Sequence, residues 1–586
     1  MDDVYEPLAR YRDEFRERFA TEAEKAFDDL VERSGVDAAE NKALADEVRR
    51  LDAALKHARS RRSWRIAYIV LAAVALALCV GWGALSLSEV SADFGGGALA
   101  LAGAAAFALA LFLLAIPAFR RSDAEAKAAA ARLEAKTSEA WEQMAPLNRL
   151  YDWDIVPKLV EKVVPRIAFD PYFTESRLSQ LRGSFGWDDA FNDGKSVVFS
   201  QSGEINGNPF VFGDALEMRW GTRAYSGSRT VSWTELERDP EGRLRNVTRY
   251  QTLTATVTKP FPEYSRDRFL VYGNDAAPNL VFHREPSPLS ARGEGFFARR
   301  ALKREIRRLE RHSRKLDDDS NYTIMGNREF EALFHAVDRS DEVEFRLLYT
   351  PLAQIQTLAL LRDREVGYGD DFSFIKSRKV NLLRPSHLNE ADLDANPSKF
   401  ASYDLEAARA FFTAFCRRYF KDAYFALAPL LAIPLYQQTR THENIHGGGA
   451  GYASFWEHEA IANFYGEGRF RHPRSATRNI LKTHVASRED GFSELEVTAY
   501  GHQVVKRTDV VSVMARNGRY YSVTVPWDEY QPVSRTTPIR ITEREGLSRT
   551  GYDEGAALPS EEWREFFRAL GASPSAARFR RSIVSG

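Results

Sequence analysis

Two runs with no charged residue, Ile66–Leu87 and Gly96–Phe119, limit this chain more than any other feature in it. An α-helix rises about 1.5 Å per residue, so roughly 20 apolar residues cross a hydrocarbon core about 30 Å thick. Both runs meet that length. Backbone in lipid must satisfy its own polar groups, so each run is expected to be one continuous helix. The first is not expected to be a cleaved leader, because 65 residues rich in charge precede it.

Orientation follows from the flanks. Lys56, Arg59, Arg61, Arg62 and Arg65 precede the first run, and Arg120, Arg121 and Lys127 follow the second. The connecting residues Ser88–Gly95 hold Glu89 and Asp93 and nothing basic. Basic flanks stay on the cytoplasmic side. The expectation is a two-span hairpin in the cell inner membrane with both termini cytoplasmic. Ala100, Ala104 and Ala108, four residues apart, would give the second helix a smooth face for close packing. Within the runs only Tyr68 and Cys79 can ionise, whereas ion pathways and proton relays need intramembrane charge. The pair reads as an anchor.

The rest of the 586 residues is ordinary in composition, with 28% charged and 44% hydrophobic side chains and a formal net charge of −1. Such a balance creates no global field for nucleic acid, and none is expected as a partner. The two cysteines, Cys79 and Cys416, make neither a disulfide framework nor a metal motif.

The expected fold class is α+β in six parts. Residues 1–62 form a helical N-terminal segment, with Leu8, Tyr11, Phe15 and Phe19 and then Leu44, Val48, Leu51 and Leu55 at helical spacing. Residues 63–121 hold the hairpin, with spans 66–87 and 96–119. Residues 122–168 start at an N-cap-like Ser122–Asp123 and continue in strong helix formers. This stretch and the N-terminal one are expected to pair antiparallel as a stalk, or to use their apolar stripes for self-association.

Residues 169–436 read as a mixed α/β cytoplasmic domain. Asn206–Gly207 is a two-residue hairpin signal. Strands are expected in YQTLTATVTKPF and RFLVYG, a mixture of helix and strand over NREFEALFHAVDRSDEVEFRLLYTPLAQIQTLALLRD, and a strand pair through FSFI and KVNLL. Ala423–Tyr436 is apolar but short and contains Pro429 and Pro434, so it reads as buried core rather than a third span. Residues 437–572 form a β-rich module with strands near SELEVTAYGHQVV and DVVSVMA, an Asn517–Gly518 hairpin and a short helix, SEEWREFFRAL; residues 573–586 are a tail.

Several stretches carry a family likeness: FTESRLSQLRGSFGW (Phe173–Trp187), GEINGNPFVFGDALEMR (Gly203–Arg219) and GNREFEALFHAVDRSDEVEFRLLYTP (Gly326–Pro351). With the order of basic flank, two-span hairpin, helix and α/β domain, they resemble a bacterial two-span membrane protein family, domain of unknown function 3137. The pattern falls here on Glu329, Phe330, Glu331, Phe334, Val337, Asp341, Arg346, Leu348, Thr350 and Pro351. The likeness covers about Ser122 to Pro385. It departs in the long N-terminus, over Trp220–Leu316 and after about Tyr436. The resemblance implies an architecture and no activity.

Two constellations could carry chemistry. His442-Glu443-Asn444-Ile445-His446 is an H-E-x-x-H sequence. On a helix the two imidazoles would share a face and bind zinc while Glu443 activates water. Glu457, His458 or Glu459 would supply a third ligand. Polar Gln437, Gln438, Thr439 and Arg440 before it and Gly447, Gly448 and Gly449 after it favour a loop instead, so no cofactor is expected. The glycine run lacks the Lys-Ser/Thr ending of a phosphate loop.

The second constellation is FFARRALKREIRRLERHSRKL, with an apolar stripe of Leu302, Ile306, Leu309 and Leu316. Its other faces carry Arg299, Arg300, Lys303, Arg304, Arg307, Arg308, Arg311, Arg314 and Lys315. Arg300, Arg304, Arg307, Arg308 and Arg311 are the candidates for touching anionic lipid or an acidic partner. The acidic pairs Asp317–Asp319 and Asp370–Asp371 read as turn or capping residues.

The expectation is therefore a membrane-anchored binding or scaffold protein without catalysis, its partners the bilayer and a protein or a second copy. The alternatives are a membrane-tethered zinc hydrolase and a sensor of anionic lipid surfaces.

Overall fold

The computed structural model describes residues 4–88, 99, 102–106, 108–109, 111–238, 240, 242–290, 295–315, 322–439, 452–489, 492–543 and 582–585. The chain divides into two compact units. One gathers Met1–Ala23, Asp152–Asn396 and Phe415–Gly586, and the other Glu24–Tyr151 with Pro397–Ala414.

The second unit is built on two long helices, Ala38–Ser88 and Ile116–Asn148. They run antiparallel, and the register is legible in their ion pairs: Lys136 with Glu47 at 3.5 Å, Arg61 with Glu125 at 3.7 Å and Arg62 with Asp123 at 2.9 Å. Arg65 donates to the Ala118 carbonyl, and the Arg62 guanidinium lies 5.9 Å from the Phe119 ring. A side-chain carbon at Gly103 would stand 4.0 Å from Cys79 Sγ, so the alignment continues into the apolar runs.

Among the described residues one helix, within Ala38–Trp82, is long and apolar enough to cross a membrane, and its apolar window is not buried. The run 96–119 is described only in pieces, so the expected second span is not shown. Ala104 is buried, Ala108 is exposed and Ala100 lies outside the described residues. Ser122 does not start a helix. The helix passes straight through it from Ile116, and the Ser122 hydroxyl donates to the Phe119 carbonyl at 2.8 Å.

The segment Pro397–Ala414 is sewn onto this pair by amide side chains. Asn41 donates to the Tyr403 carbonyl and accepts from Leu405 N; Asn148 does the same with the Ser402 backbone. Arg49 closes on Asp404 at 2.5 Å.

In the first unit the N-terminal aromatic stripe is core rather than stalk. Phe19 stacks on Phe420 at 4.2 Å, Tyr11 lies 5.1 Å from Tyr424, and Tyr424 Oη donates to the Pro7 carbonyl. Gln437 pairs both ways with the Val4 backbone. Ala423–Tyr436 is buried, as the end of the helix Leu405–Leu431 and the short turn Pro434–Gln438 after it.

Two antiparallel sheets organise the rest. The first has seven strands: β1 (Ile167–Phe169), β2 (Lys195–Ile205), β3 (Asn208–Arg238), β4 (Leu244–Gly273), β5 (Val281–Arg284), β6 (Phe372–Ser377) and β7 (Val380–Pro385), in the order β1-β2-β3-β4-β7-β6-β5. Asn206 and Gly207, both at positive φ, turn β2 into β3. The second sheet holds β8 (Ile480–Glu489), β9 (Phe492–Met514), β10 (Tyr520–Glu543) and β11 (Ser582–Ser585), in the order β11-β10-β9-β8.

Several expected strands are pieces of longer ones. YQTLTATVTKPF and RFLVYG belong to β4, and SELEVTAYGHQVV and DVVSVMA belong to β9. The expected helix–strand mixture over 327–363 is three helices, Arg328–Phe334, Glu342–Leu348 and Pro351–Arg362. They are capped by the side chains of Asn327, Asp341 and Thr350.

β3 and β4, 31 and 30 residues long, far exceed the usual 3–10. β2 pairs with β3 only as far as Glu217, and beyond that β3 and β4 continue as a two-stranded arm. β9 and β10 do likewise beyond Tyr500. An isolated two-stranded ribbon is marginal in water. Here the two ribbons stack. Val231, Leu253, Ala255, Ala515, Val523 and Val525 make a buried seam flanked by Tyr225, Trp233, Val257, Val511, Val513 and Tyr521. All of these positions are odd-numbered, the period-2 pattern of one sheet face. The even positions turn outward, and cross-strand pairs such as Ser228–Thr254 and Thr230–Thr252 cover that side with hydroxyls.

Candidate functional site

The helix Phe296–Lys315 presents the basic candidates. Ala298 and Leu309 are buried and Leu302 and Ile306 half-buried, so the apolar stripe packs against the domain. Leu316 lies outside the described residues. Glu305 and Glu310, on the packed side, reach His335 at 3.4 Å and Arg328 at 3.2 Å, tying the helix to Arg328–Phe334. The opposite face is open. Arg300, Arg304, Arg307, Arg308 and Arg311 are all exposed, and among the described residues Arg300, Arg304 and Arg307 make no ion pair. Arg311 folds back on the Arg307 carbonyl at 3.2 Å, and Arg308 lies 3.5 Å from Glu305. Phe296 and Phe297 stand 70% and 82% exposed at the first turn. Two bare aromatics beside a row of guanidinium groups suit an interfacial surface, where rings enter the headgroup layer and cations meet anionic lipid.

His442, Glu443 and His446, with the glycine run after them, lie outside the described residues. Glu459, the third-ligand candidate, is on the buried helix Phe455–Tyr465. Its Oε2 accepts from Val197 N at 2.8 Å and its Oε1 from Lys482 Nζ at 3.0 Å, so protein donors occupy both oxygens. Burial lifts its pKa to about 7, against the pull of Lys482. Glu457 accepts from Phe173 N at 3.1 Å and Ser200 Oγ at 2.8 Å, and His458 is buried. Trp456 of the same helix enters the core over the first sheet, while Ile461 and Ala462 enter the core over the second. The helix is a packing element. Among the described residues no three side chains converge as metal ligands would.

The acidic pair at 370–371 does more than cap a turn. Asp370 receives the buried Arg284 guanidinium at 2.6 Å, together with Ser287 N and Ser290 Oγ. Asp371 accepts from His387 at both Nδ1, 2.5 Å, and backbone N, 3.1 Å. His387 Nε2 faces the Asp422 carbonyl at 3.0 Å, and the imidazole stacks on Tyr368 with centroids 4.1 Å apart and planes 6° from parallel. Tyr368 Oη donates to Asp422, which also takes Arg418 Nε at 3.0 Å. Burial and the Asp422 carboxylate together push the Tyr368 phenol up, so it stays a donor. Tyr368, Asp371, His387, Arg418 and Asp422 come from three separate stretches of sequence, and no local spacing announces them.

No family model, no curated protein and no solved structure matches the chain.

Proposed function

We propose that this chain is a membrane-anchored cytoplasmic binding or scaffold protein without a catalytic role. In this reading the runs 66–87 and 96–119 form a two-span hairpin in the cell inner membrane, and the folded part works on the cytoplasmic side. The resemblance to domain of unknown function 3137 belongs to the same reading. The observation that carries it is the helix Ala38–Ser88, which passes unbroken from a charged half that pairs with Ile116–Asn148 into an apolar half whose window is not buried among the described residues. Water would penalise that uncovered half at about 25 cal/mol per Å² of apolar area, and lipid would not. Membranes carrying the full-length chain should retain it through a carbonate wash, and the purified chain should hydrolyse no ester or peptide with or without zinc. Release by carbonate, or metal-dependent turnover lost in His446→Ala, would overturn the reading.

The exposed face of Phe296–Lys315 favours a second reading, a sensor of anionic lipid. Each cation held at such a surface contributes about 1 kcal/mol. An environment-sensitive dye on Phe296→Cys should shift to the blue in nanodiscs containing phosphatidylglycerol and not in phosphatidylcholine alone. The shift should vanish in Arg304→Glu/Arg307→Glu. An equal response to both lipids removes this reading and leaves the anchor intact.

A further inference from the structure

The first unit contains a cleft of about 760 Å³ that neither the anchor nor the basic helix explains. Its floor is aromatic, formed by Tyr11, Phe19 and Phe420. Its walls carry five cations, Arg12, Arg16, Arg417, Arg418 and Lys421, against two carboxylates, Glu17 and Glu365. Asp13 and Asp422, paired with Arg12 and Arg418, reduce that local excess of positive charge without removing it. We propose that this cleft is a binding site for a multiply charged phosphate ester, with the guanidinium groups on its phosphates and the aromatic floor under its apolar part.

Three observations carry the assignment. The size is that of a small-molecule site, since such clefts occupy about 300–1,000 Å³. The cations come from two elements that the fold sets against each other, Arg12 and Arg16 from the N-terminal helical stretch and Arg417, Arg418 and Lys421 from Leu405–Leu431, with Glu365 and Val366 closing the side. The cluster of Tyr368, His387 and Asp422 also contacts two of them. Asp422, fully buried, holds Arg418 Nε at 3.0 Å, and Lys421 Nζ stands 4.7 Å over the Tyr368 ring that His387 stacks from its own side. Arginine suits phosphate because its planar fork donates two parallel hydrogen bonds; Arg12 already forks onto Asp13 at 2.7 and 3.0 Å and Arg418 Nε holds Asp422, so at two of the four arginines a phosphate must share or displace a carboxylate. Cations collected in one concavity also focus the field and raise the local concentration of anions.

The ester could be a soluble nucleotide or a lipid headgroup, and the experiment separates them. Full-length protein in phosphatidylcholine nanodiscs is titrated with pyrophosphate and with ATP, at an ionic strength held constant with sodium chloride. Saturable binding is expected, weakened about tenfold or more in Arg16→Glu and in Arg417→Glu, each of which changes an exposed side chain. Arg307→Glu, on the separate basic helix, should leave it unchanged. Repeating the titration with phosphatidic acid, whose phosphomonoester headgroup can carry two charges, in the disc assigns the source: equal affinity marks a soluble ester, and competition by the lipid marks a headgroup. No binding beyond the salt control, or binding that both cleft variants retain in full, overturns the proposal.

Discussion

Glu459 shows what one buried carboxylate costs and when. In the unfolded chain it loses its proton near the ordinary glutamate value of 4.5; in the fold it holds the proton to about 7. Between those values the folded state binds more protons than the unfolded state, so this group makes stability fall as pH rises through that window and level off above it. Glu459→Gln keeps an acceptor for Val197 N and removes the titration. The variant should lose less stability than the parent between about pH 4.5 and 7, measured as urea midpoints across that range. An unchanged pH profile would mean that Lys482 already holds the carboxylate charged. Lys376 runs the other way. Burial lowers its ammonium to about 7, with Nζ donating to the Ala276 and Arg378 carbonyls at 3.0 and 2.6 Å. Its contribution grows as pH climbs from about 7 towards its ordinary value.

Among the elements, the paired arms depend on one close approach. A side-chain carbon at Gly227 of β3 would stand 2.0 Å from the Thr524 carbonyl oxygen of β10, inside any tolerable contact. Only glycine lets the ribbons meet there. Gly227→Val should separate them and cost about 1–3 kcal/mol, while Ser228→Val, one residue along on the exposed face, should stay within about 0.5 kcal/mol. Thermal unfolding with limited proteolysis of the arm checks both; equal effects would show that the arms do not rely on this contact.

The same arms mark where sequence reading stops. The Asn206–Gly207 turn is legible because its conformation is local. The length of β4 is not, since the sequence reads as two strands, YQTLTATVTKPF and RFLVYG, parted at Pro262 and the charged residues after it. Proline ends a strand only where its missing N–H is needed, and on a two-stranded arm one edge needs none. The three helices after Asn327 read from sequence only as a mixture of helix and strand, because short apolar runs fit either period. Phe15 and Phe19 announce a helix and not the helix they meet, which lies some four hundred residues along the chain. The cleft cations were invisible for the same reason.

For the molecule as a whole, the decisive question is on which side of the membrane each flank lies. Arg62–Asp123 and Lys136–Glu47 join the stretch before the first apolar run to the stretch after the second. Those contacts require both stretches to be on one side, so they support the proposed hairpin and oppose a single crossing, which would part Arg62 from Asp123 by the thickness of a bilayer. In the proposed hairpin, the basic residues of both flanks would favour the cytoplasmic side. A fluorescent protein that matures only in the cytoplasm should therefore be bright at either terminus, and a phosphatase that folds only outside should be active when inserted between Ser88 and Gly95. Charge reversal at Arg62 tests the physical link. Arg62→Glu should loosen the helix pair, and Arg62→Glu/Asp123→Arg should restore it, read by hydrogen exchange over residues 116–130. A bright N-terminal fusion with a dark C-terminal one would show a single span, and the antiparallel pair would then have no place in the membrane-bound protein.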